Sequence, residues 1–323
     1  MSRGRRNWVS QELGCYHLIS RITKGTHKFD DYEKDHLLKL LKCFSAGFFV
    51  DIHAFCIMGN HFHILATELS NEAKKANEEE LLKRYRDIYG KNADPPAGSV
   101  RSSGGIIVDE DGGIERLRKR LGSVSRFIQE FKQTFSNWYN KRHSRKGYLW
   151  HERFRGIIIE KGEAQLSCSA YIDLNPVRAG IVNTPEEYRW SSMGMMARKP
   201  DFSKRFLSLN FYSFLNESTS VKNKRALIDG YRLFVYLSGG IEKKDKSKIG
   251  QEVINEVINC HGRMGIGDCL KYRVRNMSEG IAIGTHAFIS GLQQNLGRRF
   301  ICPRRFTESD KIFTTRVLRI KIF

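Results

Sequence analysis

Residues 48–67 constrain the fold more than any other stretch of this chain. Phe48 to Met58 reads as a strand, Gly59-Asn60 is a turn pair, and His61 to Thr67 reads as a second strand. Two strand-like runs joined by a two-residue polar connection predict a β-hairpin. Upstream, residues 14–23 carry the β-branched and aromatic bias of another strand, ending at Gly25. Asp30-Asp31 then open a helix whose stripe of Tyr32, Leu37, Leu38, Leu40 and Leu41 runs to about Phe44. A strand, a helix and then a hairpin predict an α+β domain built on a central antiparallel sheet.

Further along, residues 72–89 read as a charged, exposed helix. Residues 91–113 hold Pro95-Pro96, Gly104-Gly105 and Gly112-Gly113 and read as a surface insertion. One long helix is expected from Ile114 to Arg142, with Leu117, Leu121, Val124, Phe127, Ile128, Phe131 and Phe135 on one side. Gly156 to Glu160 is a short apolar strand, and a helix from Glu163 to Leu174 ends where Asn175-Pro176 punctuates it. From about Asp201 the pattern loosens into a mainly helical reading, with apolar stripes at 225–238 and 249–259. A length of 323 residues, at roughly 150 per domain, accommodates a division into 1–200 and 201–323.

Lys and Arg number 55 against 35 Asp and Glu, a net charge of +20, which favours a polyanionic partner through counterion release. Charge alone would equally suit a structural RNA-binding protein. The apolar runs fall far short of the ~20 residues of a membrane span, and no apolar stretch follows Met1–Asn7, so neither membrane insertion nor secretion is expected. Cys15, Cys43, Cys56, Cys168, Cys260, Cys269 and Cys302 are scattered without a C-x-x-C pair. That argues against a disulfide framework or structural zinc and for a reducing, cytoplasmic setting.

His61-Phe62-His63 is the sharpest chemical feature. Side chains alternate along a strand, so His61 and His63 share one face while Phe62 and Ile64 face the other. Two neutral imidazoles so placed can share a divalent metal. Taken alone, the pair also fits two half-exposed histidines on a sheet. Tyr171 and Asn175 lie i and i+4 near a helix end, on one face. The amide oxygen of Asn175 suits a hard ion, and Tyr171 could attack a phosphorus whose oxygens that ion polarises. Tyr139, Tyr148 and Tyr188 compete for this role, but none has a carboxamide four residues onward before a helix-ending proline. Two imidazoles and one amide suit Mn²⁺ or Mg²⁺ better than zinc.

Residues 138–155 interleave basic and aromatic side chains, from Trp138-Tyr139 to Arg153-Phe154-Arg155, as a surface for phosphates and unpaired bases would. A solvated helix end over buried aromatics would look the same. The motifs Met58-Gly59-Asn60-His61-Phe62-His63, Leu149-Trp150, Arg153-Phe154, Tyr171-Ile172-Asp173-Leu174-Asn175-Pro176-Val177-Arg178-Ala179-Gly180 and Tyr188-Arg189-Trp190-Ser191-Ser192 occur in that order. Together they resemble the HUH single-tyrosine transposases, specifically their REP-associated branch, over about residues 8–195. A weaker likeness to longer relatives covers Glu279 to Ile289.

The resemblance implies a ferredoxin-like catalytic domain in which His61, His63 and Asn175 bind the metal and Tyr171 is the nucleophile. It implies cutting and rejoining of single-stranded DNA beside imperfect hairpins through a 5′-phosphotyrosine, in a monomer or a homodimer. Arg3, Arg5, Arg6, Arg142, Arg145, Arg153 and Arg155 are expected to include phosphate or base contacts, because a guanidinium bridges two acceptors. A rolling-circle initiator or relaxase is argued against by Asn175-Pro176-Val177-Arg178-Ala179-Gly180. A non-catalytic hairpin-binding regulator has no need of the whole His61, His63, Tyr171 and Asn175 quartet.

Overall fold

The structure is a computed structural model that describes residues 14–24, 28–90, 113–182 and 185–198. It also describes short pieces at 93, 99–101, 107–109, 206–208 and 316–318, and parts of 231–238 and 282–294. Arg3, Arg5, Arg6 and most of the expected second region lie outside the described residues.

Strand β1 (Gly14–Arg21) leads to helix α1 (Asp31–Gly47). The Asp30 carboxylate accepts from Glu33 N–H at 2.7 Å and Glu33 accepts from Asp30 N–H at 2.9 Å, a reciprocal cap on the orphan N–H groups of the first turn. The hairpin follows as β2 (Val50–Ile57) and β3 (His61–Glu68). Its turn is closed by Met58 N–H on His61 O at 2.8 Å and held to β1 by Ile22 N–H on Asn60 O at 2.9 Å.

Two expected helices are each divided. Residues 70–89 form α2 (Ser70–Lys75) and α3 (Glu78–Tyr89), because the Asn77 side chain accepts from Glu80 N–H and restarts the helix. The single helix expected over 114–142 is instead α4 (Gly113–Leu121) and α5 (Val124–Arg142). Ser123 caps α5 through Arg126 N–H, and a Cβ at Gly122 would lie 2.9 Å from Ala73 Cβ, so the chain turns against α2 there. Between them, Ser99–Arg101 (β4) and Ile107–Asp109 (β5) pair as a ribbon within the insertion.

Strand β6 (Arg155–Glu160) connects to α6 (Glu163–Asp173) through only Lys161-Gly162. Gly162 sits at φ +96°, a conformation glycine takes without Cβ strain, and this tight link lays α6 back over the sheet. After α6 come the single turn α7 (Asn175–Arg178) and then α8 (Ser192–Arg198).

The sheet runs β2-β3-β1-β6 with all four strands antiparallel, so the chain is α+β as expected. Beyond β6 lie β7 (Ala282–Gly284), parallel to it, and β8 (Arg316–Leu318). These pieces of the expected helical region are therefore strands of the same sheet. One sheet face carries Phe62 and Ile64 into a core with α1 and α5, where Phe62 meets Phe131 and Trp150 edge-on. Helix α6 covers the other face. The open edge of β2 is closed by Ile57 N–H on Trp190 O and by a bridge of Cys56 to Ser191, which removes a template for unwanted pairing. Among the described residues no helix is long and apolar enough to cross a membrane, and the four described cysteines are free.

His53 interrupts β2 at a register shift and is buried, with Nε2 against Thr67 Oγ1 at 2.7 Å and Nδ1 against Ser208 O at 3.3 Å. Burial pushes its pKa down to about 4. The unfolded chain binds this proton near pH 6.5 and the folded chain only near 4, so stability falls as pH drops through that window. Asp173 opposes the trend, because burial raises it to about 6 and the folded state then binds the extra proton. His53→Gln should therefore lessen, but not abolish, the loss of melting temperature between pH 7 and 4.5 measured by calorimetry, because buried His61 and His63 are pushed down as well.

Candidate active site

The β1–β3 register places Ile19 opposite His63 and Arg21 opposite His61, so both histidines lie on the face that α6 covers. Their anchors are the intervening Phe62 and Ile64, fully buried on the opposite face. His61 Nδ1 lies 2.6 Å from the Asn60 side-chain oxygen, an acceptor, so Nδ1 carries the hydrogen and Nε2 is left with the lone pair. Burial, reinforced by Arg21, pushes His61 down to about 4. His63 is also pushed down, chiefly by burial and then by His17, His61 and Arg21. Both rings are thus neutral at pH 7, the form that ligates metal.

Tyr171 reaches this face from the last turn of α6. Its ring stands edge-on to His63 at 5.8 Å between centroids and to His17 at 5.9 Å, and the Arg178 guanidinium lies 5.3 Å from its centroid. Asn175 Nδ2 donates to Tyr171 O at 3.2 Å, which orients the amide and leaves its oxygen as the acceptor end. Between the two sits buried Asp173, which fixes the helix end. It accepts from Ser192 Oγ at 2.7 Å, Met193 N–H at 2.9 Å and Tyr231 Oη at 2.7 Å. The Tyr188-x-Trp190-Ser191-Ser192 motif therefore serves as a clamp. Tyr188 Oη donates to Ile57 O, Trp190 Nε1 donates to Asp35, and Ser192 holds Asp173.

One cleft of about 540 Å³ is lined by His61, His63, Tyr171 and Asn175 together with Arg21, Arg153 and Arg155. His151 and Glu152 add to its rim. The rim segment is held by Thr23 N–H on Leu149 O, His151 N–H on Arg21 O and the Trp150 indole N–H on Lys132 O. Trp150 packs its ring on Phe29, Phe62 and Phe135, so the Leu149-Trp150 pair anchors the loop that presents Arg153 and leads into Arg155 at the start of β6.

Arg142 and Arg145 are not brought to the cleft. Arg142 faces Asp30 and Glu33 at 3.7 and 3.9 Å and stacks on Tyr32, while Arg145 lies 6.0 Å from the Tyr139 centroid. The end of α5 meets the acidic start of α1, so the basic-aromatic stretch splits into a cleft half and a structural half. Of the competing tyrosines, Tyr139 is buried beside Phe29, Tyr188 is spent on Ile57, and Tyr148 is 92% exposed outside the cleft.

His17 on β1 is the residue that sequence reading missed. It is fully buried, with Nε2 2.9 Å from His63 Nδ1 and its ring stacked on His63 at 5.1 Å. Only the antiparallel pairing of β1 with β3 reveals it. Among the described residues no three His, Cys, Asp or Glu side chains form a metal cluster. The two imidazoles and the Asn175 amide oxygen line the same cleft, a donor set that could hold a divalent ion.

No family model matches the chain, and no curated protein matches it. A solved structure of a REP-associated tyrosine transposase bound to a REP hairpin matches at TM-score 0.39 and 13% identity, over 64% of this chain and 89% of that one. A likeness so distant leaves the site to be judged by its own residues.

Proposed function

We propose that this chain is a metal-dependent single-stranded DNA strand-transfer enzyme of the HUH single-tyrosine, REP-associated transposase type, acting beside hairpins. The observation that carries the reading is one cleft lined by His61, His63, Tyr171 and Asn175, drawn from a strand and a helix end more than 100 residues apart. The path β1-α1-β2-β3-α5-β6 with order β2-β3-β1-β6 supports the ferredoxin-like reading, with α2, α3 and α4 as additions.

In this reading Arg21, Arg153 and Arg155 hold the DNA backbone at the rim, and Asn175 and the two histidines would hold Mn²⁺ or Mg²⁺. That ion would supply charge neutralisation at the phosphate oxygens. Tyr171 forms the new O–P bond in line with the departing 3′-oxygen, which leaves as a hydroxyl, and the 5′ end stays on the tyrosine. The phenol must lose its proton as it attacks, and the departing 3′-oxygen takes one up. The phosphotyrosine preserves the phosphodiester's free energy, so another 3′-hydroxyl can reseal the strand. The ring contact of Tyr171 with His63 within one chain supports a tyrosine serving its own subunit, whether the protein acts as a monomer or a homodimer. Residues 1–200 carry this activity, and those beyond 201 are assigned an accessory, DNA-contacting role.

The test is incubation with Mn²⁺ and either a single-stranded DNA hairpin, duplex DNA or RNA, followed by a denaturing gel. A covalent adduct is expected with the first substrate only, lost on chelation with EDTA, while hairpin binding weakens steeply with salt. Tight hairpin binding with no adduct would assign a non-catalytic regulator instead.

A further inference from the structure

We infer that His17 is a positioning residue, whose Nε2 accepts the Nδ1 hydrogen of His63 and so holds His63 in the tautomer with a lone pair on Nε2. The inference rests on the proposed function for its choice of donor, while the contact between the two rings stands without it. Nε2 of His17 and Nδ1 of His63 are 2.9 Å apart and buried, so one hydrogen lies between them and two arrangements compete. If His17 donates, His63 carries its hydrogen on Nε2 and cannot ligate. If His63 donates, its Nε2 is the ligating nitrogen.

The proposed metal site decides between the two, because an ion shared by His61 and His63 needs a bare nitrogen on each ring. His61 has its Nδ1 facing the Asn60 oxygen, an acceptor, and so keeps Nε2 bare. A donating His63 gives both rings of the pair the same tautomer, with two lone-pair nitrogens for one ion. Metal-bound histidines generally donate their second N–H to an acceptor that fixes the ring and raises its basicity, and here that acceptor is another imidazole.

His17 has a second contact that strengthens the assignment. Its ring packs edge-on against Tyr171 at 5.9 Å while stacking on His63, so a single buried side chain sets the spacing between the expected ligand and the expected nucleophile. The strand carrying it is central in the sheet, paired to β3 on one side and β6 on the other. Its backbone is therefore rigidly placed.

The measurement is ¹⁵N NMR of the histidine rings in the full chain without metal, alongside a Mn²⁺ titration followed by electron paramagnetic resonance. The wild type should show His63 with its hydrogen on Nδ1. His17→Leu, which keeps bulk but removes the acceptor, should give mixed tautomers at His63 and bind Mn²⁺ about 10–100-fold more weakly. His17→Gln, which restores an acceptor near the Nε2 position, should recover most of both signals. A wild-type His63 protonated on Nε2, or a tautomer unchanged in His17→Leu, overturns the inference. Should the tautomers behave as expected while the wild type binds no Mn²⁺, the metal reading fails and the positioning geometry stands.

Discussion

Tyr171→Phe should bind a single-stranded hairpin as the wild type does and form no covalent adduct on a denaturing gel, a fall of at least about 10³-fold in cleavage. The substitution deletes one oxygen from a ring whose packing on His63 and His17 is otherwise kept, so folding is not at stake. An undiminished adduct would move the nucleophile elsewhere. Tyr148 then becomes the first alternative, because Tyr139 and Tyr188 are buried away from the cleft. Mixing Tyr171→Phe with His61→Ala should restore nothing if each chain completes its own site. Recovered cleavage would mean that the strand and the helix end come from different subunits.

Asp173→Ala should be the most destabilising single change near the cleft, by about 3–5 kcal/mol in chemical denaturation. Three buried donors, Ser192 Oγ, Met193 N–H and Tyr231 Oη, lose their acceptor together, at about 1–3 kcal/mol each before relaxation. Asp173→Asn keeps an oxygen for Ser192 and Met193 and offers an N–H to the tyrosine oxygen, so it should cost about 1 kcal/mol or less. The wild type should gain on the Asn variant as pH falls through about 6 toward 3.8, because its buried carboxyl takes up a proton in the folded state first. An Ala variant as stable as wild type would mean that the network is incidental. Since Asp173 lies between Tyr171 and Asn175, a real loss of packing there should also slow adduct formation in whatever fraction remains folded.

The misread helix over 114–142 shows where local pattern stops being informative. Leu117, Leu121, Val124 and Phe127 continue one apolar stripe straight across Gly122-Ser123, so periodicity had no break to report. The break is made by contact with Ala73 on α2 and by the Ser123 cap. The basic-aromatic stretch divides for a similar reason. Arg142 and Arg155 are alike in sequence context, yet one meets the carboxylates of α1 and the other opens onto the cleft.

The strand alternation of His61-Phe62-His63 and the helix start at Asp30-Asp31 are local, and the sequence by itself determined them, because each depends on residues within a few positions. It also placed Tyr171 and Asn175 on neighbouring turns. The tertiary structure alone decided that β1 lies between β3 and β6, that α6 docks over that face, and that His17 ends within hydrogen-bond reach of His63. The strand pairings join residues separated by 40 (Arg21 with His61) to 146 positions (Gly14 with Glu160), and no local periodicity encodes which strand becomes whose neighbour.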